Sequence, residues 1–162
     1  MVHALSSVLS GREGKGPGLP GFYGEQSEHP WIYATIGIVR ESSVDVTALG
    51  ALVGEWLDLS EAGAVLGVSA SRVAQLVKDH QLAAVVPQPR AGLKVPAAFF
   101  ADGLIVKGVS GIITSLVDGG YDDAEILTWL FTDDDTLPGR PIDALRENRG
   151  SEAKRRAQAM AF

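Results

Sequence analysis

The sequence predicts a mainly α-helical fold carrying one small β-hairpin, followed by a C-terminal helical region. Three observations predict it. Residues 59–77 place apolar side chains at helical spacing on both sides of a single glycine. Residues 81–96 switch to a short β-type run, a Pro/Gly turn and a short return. Residues 108–162 then resume helical spacing, broken by glycines and cap residues.

The first two elements lie in Leu59–Val77 (LSEAGAVLGVSASRVAQLV). Ser60 is a candidate N-cap, because its hydroxyl can accept a bond from a free amide of the first turn. Ala62, Val65 and Leu66 follow as the apolar stripe. Gly67 provides positive φ without a Cβ clash, which a sharp turn between two helices needs. Val68 is expected to plug the corner and Ser69 to cap the second helix. Val73, Leu76 and Val77 fall at i, i+3 and i+4 and form its buried face. Ser71, Arg72, Gln75 and Lys78 fall on the opposite face, and all can donate hydrogen bonds. This pattern reads as a helix-turn-helix; the plainer alternative is a helical hairpin whose polar face is only solvated.

Leu82–Val86 is the next short β-type run, Pro87, Pro89 and Gly92 supply the turn, and Leu93–Val95 returns. This predicts a two-stranded wing with Arg90 at its tip and Lys94 on the return. On these residues, segment 56–100 resembles the reading heads of excisionase and MerR-like winged helix-turn-helix proteins. The resemblance implies that the second helix enters the major groove of double-stranded DNA. Arg72 and Gln75 would then read base edges, since Arg suits guanine and Gln suits adenine. Ser69, Ser71, Lys78, Arg90 and Lys94 would hold phosphates.

In the C-terminal region, a helix opens at Ser110 or Gly111 with Ile112, Ile113, Leu116 and Val117 on one stripe. Gly119 and Gly120 end it. Asp122 caps the next helix, with Glu125 three residues on, as in a capping box. That helix carries Ile126, Leu127, Leu130 and Phe131, with Trp129 off the stripe. Asp133, Asp134 and Asp135 do not suit a metal loop, because the calcium-loop glycine and distal Glu are missing. Pro141 fits the first position of a helix. Lys154, Arg155 and Arg156 either contact phosphates or pair with the three aspartates. Ala157, Met160, Ala161 and Phe162 suggest a docked tail.

The stretch from Glu125 (EILTWLFTDDDTLPGRPIDALRENRGSEAKRRAQAMAF) resembles the C-terminal half of an actinobacterial family of small winged helix-turn-helix DNA-binding proteins. With the central motif, the resemblance spans about residues 55–162. It implies a DNA-associated regulator and adds a Ser/Thr protein kinase as partner, with Thr35, Ser42, Ser43 and Thr47 as candidate phosphorylation sites. A shorter likeness to antitoxin C-terminal domains supports a second reading. In it, the helix-turn-helix is kept as a shape, and Trp56, Trp129 and the wing bind a protein.

Composition limits both readings. The 162 residues have room for one ordinary domain or two very small ones. There is no cysteine, which excludes thiolate metal sites, disulfides and a cysteine nucleophile. His3, His29 and His80 are the only histidines, and no nucleophile elbow or phosphate loop occurs. No enzyme, no cofactor and no membrane span is expected, and the expected location is the cytoplasm. The net charge of −6 leaves few cations for DNA, so specific binding is expected to need a homodimer or another partner.

Most of that acidity lies beyond residue 107. Segment 108–162 holds ten acidic and six basic residues, whereas 44–107 holds six and five. Residues 1–43 are rich in Gly and Pro, with one apolar island at Trp31–Val39. They read as a mobile leader, or as a stretch before a true start near Val39 or Val44. The expected organisation is therefore leader 1–43, winged helix-turn-helix 44–107 and helical region 108–162.

Overall fold

The computed structural model describes residues 44–162; the leader, the apolar island and the candidate sites Thr35, Ser42 and Ser43 lie outside them. Helix α1 (Val46–Val53) comes first, capped by Asp45, whose carboxylate accepts the Thr47 and Ala48 amides. Strand β1 (Trp56–Asp58) leads directly into α2 (Leu59–Leu66). The N-cap of α2 is Asp58 rather than Ser60. Asp58 and Glu61 form a reciprocal capping box, and a carboxylate at this end also suits the helix dipole.

Gly67 ends α2 with φ 71°, the left-handed turn expected there. Helix α3 (Ala70–Lys78) follows, capped by Ser69, and buries Val73, Leu76 and Val77. Two expectations for the corner fail: Val65 and Val68 remain 41% and 40% exposed. The reason lies at Gly63. A Cβ on Gly63 would stand 2.6 Å from the Val68 carbonyl oxygen, so backbone meets backbone and the Val68 side chain is left outside.

The wing also differs from the expected hairpin. The returning strand β2 (Lys94–Pro96) pairs antiparallel with β1, Trp56 opposite Pro96 and Asp58 opposite Lys94. Leu82–Val86 contributes one bridge, Val85 with Lys94. Leu82, Ala83 and Ala84 are buried instead. The Ala84 amide is satisfied by the Asp123 carboxylate at 3.0 Å, not across a ladder.

A 3-10 turn (Ala97–Phe99) leads to a second hairpin, β3 (Phe100–Ala101) with β4 (Leu104–Ile105). Its turn residues Asp102 and Gly103 both have positive φ, 53° and 74°, as a type I′ turn requires.

Helix α4 (Val109–Asp118) buries Val109, Ile112, Ile113 and Leu116, and Gly119 and Gly120 end it. Helix α5 (Asp123–Phe131) has the Asp122–Glu125 capping box and buries Ile126, Leu127, Leu130 and Phe131. Helix α6 (Pro141–Arg146) starts on Pro141, and α7 (Gly150–Ala161) closes the fold. Helix α7 lies along α4, and Ala161 seats against Gly119, where a Cβ would come within 2.7 Å of the Ala161 Cα. The tail docks only that far: Phe162 is 97% exposed.

One buried cluster runs through both halves, from Leu49 and Val73 to Leu127 and Ala157. Helix α1 packs on α5, so the first described helix is held by the C-terminal region. Among the described residues, no helix is long and apolar enough to cross a membrane.

Candidate nucleic-acid interface

Helix α3 presents the candidate surface. Its nine residues span roughly 14 Å at 1.5 Å per residue. One face is buried; Ser71, Arg72, Gln75 and Lys78 on the other are exposed. Ser69 stands at the N-terminal end, where its hydroxyl accepts the Arg72 amide at 3.1 Å. That bond uses a lone pair and leaves the hydroxyl proton for a phosphate. Neither Arg72 nor Lys78 is in an ion pair among the described residues. Lys78 in the last turn also favours the C-terminal end of the helix dipole.

Gln75 is already engaged. Its Nε2 donates to Asp79 Oδ1 at 2.8 Å, one turn further on. An amide nitrogen carries two hydrogens, so the second hydrogen and Oε1 remain for an adenine edge. Asp79 was not among the residues the sequence singled out. The i, i+4 spacing of Gln75 and Asp79 was the available signal.

The wing positions separate. Arg90 is exposed in the turn, at φ 67°, close to the Ala91 amide bond to Gln88. Lys94 is half-buried on the returning strand, as expected, and lies between Val85 and Asp58. Thus five of the seven candidates share α3 and its cap, Arg90 stands apart on the loop, and Lys94 belongs to the sheet.

Elsewhere, Asp134 accepts both the amide and the hydroxyl of Thr136, and Arg156 Nε lies 3.6 Å away. These bonds, the Thr136 hydroxyl first, hold the Asp134 carboxyl below its ordinary range. Arg156 therefore pairs within the fold, while Lys154 and Arg155 are exposed and in no ion pair among the described residues. Trp129 is half-buried and lines the same shallow cleft with Asp133, Asp135 and Met160.

Two helices meeting at a left-handed glycine, a second helix with an exposed polar face, and a strand-rooted loop beside it define a winged helix-turn-helix protein. Two family models match this chain: "DNA-binding protein Rv2175c, wHTH domain" over residues 45–100, and "Rv2175c C-terminal domain of unknown function" over 106–161. The chain is 41% identical over 118 residues to the DNA-binding protein Rv2175c of Mycobacterium tuberculosis, covering 65% of this chain and 80% of that protein. It also matches the NMR structure of Rv2175c with a TM-score of 0.60 and 40% identity, over 67% of this chain and 82% of the other. The chain belongs to the Rv2175c family.

Proposed function

We propose that this chain is a DNA-binding regulator that reads double-stranded DNA with α3, through binding and not catalysis. The observation that carries the reading is the division of α3 into a buried face and an exposed donor face. The name of the mycobacterial relative supports it. In this reading Arg72 and Gln75 meet base edges, and Ser69, Ser71, Lys78, Arg90 and Lys94 hold phosphates. The C-terminal helical region, residues 108–162, is a separate functional unit on a shared core. The protein acts in the cytoplasm.

Few of the cations reach the interface, and each neutralised phosphate adds about 0.9 to the salt slope. Specific binding therefore takes two copies on one duplex. The test is a fluorescence-anisotropy titration of the full chain with genomic-fragment duplexes at low and moderate salt. The expected result is salt-sensitive binding by the wild type, and a loss of roughly tenfold or more for Arg72→Ala. Equal binding by both proteins would overturn the assignment of α3.

A Ser/Thr protein kinase is the proposed regulator. Thr47 is exposed in the first turn of α1, beside Asp45. A phosphate there adds about −1.5 to −2 charge and opposes DNA. Incubation with Ser/Thr kinases of the same cell, followed by mass spectrometry, should find phosphate within residues 35–50. An unmodified segment would end this part of the proposal.

A further inference from the structure

We propose that the C-terminal helices brace the wing, with Ser110, Thr114, Asp123 and Arg146 as the positioning residues that set its path relative to α3. The proposal rests on the reading of α3 and the wing as a DNA-contacting pair.

All four side chains come from beyond residue 107, and all meet backbone: three at the incoming root of the wing and Arg146 on the segment that follows β2. On the incoming root, Thr114 Oγ1 shares its one proton between the His80 carbonyl at 3.0 Å and the Ser110 carbonyl of its own helix at 2.9 Å, and Ser110 Oγ donates to the Gln81 carbonyl at 2.8 Å. The Ala84 amide donates to Asp123 Oδ2 at 3.0 Å. Past the return strand, Arg146 Nη1 donates to the carbonyls of Ala98 in the 3-10 turn and Phe100 in β3, at 2.8 and 2.9 Å.

The return strand of the wing is held by β1, and its incoming side is tied to that strand at one place. One bridge closes it, with Val85 N–H to Lys94 O at 3.1 Å and Lys94 N–H to Val85 O at 2.8 Å. The chain turns into the wing at His80, whose φ of 57° is the left-handed end of α3, closed by the His80 amide on the Val77 carbonyl at 3.0 Å and the Gln81 amide on the Leu76 carbonyl at 2.9 Å. Thr114 grips the carbonyl of that same residue. Bonds directed at backbone fix the path of the chain whatever side chains the wing displays. Burial of Leu82, Ala83 and Ala84 in the core cluster that both halves share completes the anchor.

A brace makes a claim that a merely stabilising contact does not. It requires that the contribution of Arg90 to DNA binding depend on Ser110 and Thr114. The test uses the full chain, a fluorescein-labelled mixed-sequence duplex and a salt series. In the wild-type background, Arg90→Ala should lower the salt slope by about 0.9, one phosphate contact. In a Ser110→Ala/Thr114→Val background, Arg90→Ala should leave the slope unchanged, because the wing no longer reaches the phosphate. Asp123→Asn keeps an acceptor for the Ala84 amide and should behave as wild type, while Asp123→Ala should behave as the double variant. A double variant that was only less stable would lose folded fraction yet keep the full Arg90 effect, and that result overturns the brace.

If the wild type binds no duplex, the failure belongs to the DNA reading, and the brace is then read from amide exchange without DNA. The Ala84, Val85 and Lys94 amides should exchange about tenfold faster in the double variant, while those of Val73 and Leu76 hold. Equal protection at all five amides would also overturn it.

Discussion

Gly63 shows how one missing methyl sets the angle between two helices. It sits in α2, yet its neighbours are the Val68 carbonyl at 2.6 Å and the Ser69 backbone carbon at 3.2 Å from where a Cβ would be. Neither can move without shifting the whole turn. Gly63→Ala should therefore destabilise the protein by roughly 1–3 kcal/mol, despite the gain in helix propensity. A thermal melt checks it: an unchanged or raised midpoint would mean that the turn yields freely. The spacing of Leu59–Val77 made Gly67 legible as the turn glycine, but Gly63 looked like an ordinary helix residue. Its role depends on a backbone atom five residues ahead, brought back by the turn itself. Asp58 was overlooked for a simpler reason: it stands one place before the stretch taken as the start, where a strand and a cap share a residue.

At the scale of elements, α3 combines attraction and repulsion on the face it offers. Arg72 and Lys78 attract phosphate, and Asp79, hydrogen-bonded to Gln75, opposes it. Asp79→Asn keeps an oxygen for the Gln75 amide and removes the charge. It should tighten binding to mixed-sequence DNA severalfold at low salt and hardly at all at high salt, where exposed charges are screened. Anisotropy at two salt concentrations checks this. An equal effect at both would point to lost hydrogen bonding and not to charge.

The helices α2 to α6 were legible because caps, glycines and periodicity agree locally. The wing was only half legible. Its turn residues were plain, but Leu82–Ala84 have their polar groups met by α4 and α5, from far along the chain. The hairpin β3–β4 had a local signal, Asp102-Gly103 between apolar residues, that went unread. Helix α1 has a weak polar face, and its partner α5 lies over seventy residues away in sequence. The candidate site was legible in α3, where one helix holds it; Lys94 was legible as a residue of the returning strand, but the pairing of that strand with β1 was not.

For the whole molecule, the decisive group is Asp123, a carboxylate between the winged unit and the C-terminal helices. Burial pushes its carboxyl up to about 6, against the opposing pull of the Ala84 amide and of His80, while Asp122 nearby pushes it further up. A pKa raised in the folded state means that this group contributes stability below about pH 4, and that the contribution is lost as pH rises through 6. Asp123→Asn should remove that pH dependence. At pH 7.5 it should stabilise the chain by an amount of the order of 3 kcal/mol, since one pKa unit is about 1.4 kcal/mol. Urea unfolding at several pH values checks it. Parallel curves for wild type and variant between pH 4 and 7 would show that Asp123 titrates normally.

The wing tip and its roots are held very differently. Three side-chain hydrogen bonds hold the incoming root and β1 pairs with the return strand, whereas the tip from Gln88 to Ala91 has a single turn bond. DNA grooves vary in width with base composition, and a stiff projection would select one width. In the proposed reading, a firmly rooted loop with a pliant end would let Arg90 follow narrow and wide grooves alike. The wing would then add grip without imposing its own preference for duplex shape, and discrimination between sequences would be left to the helix beside it.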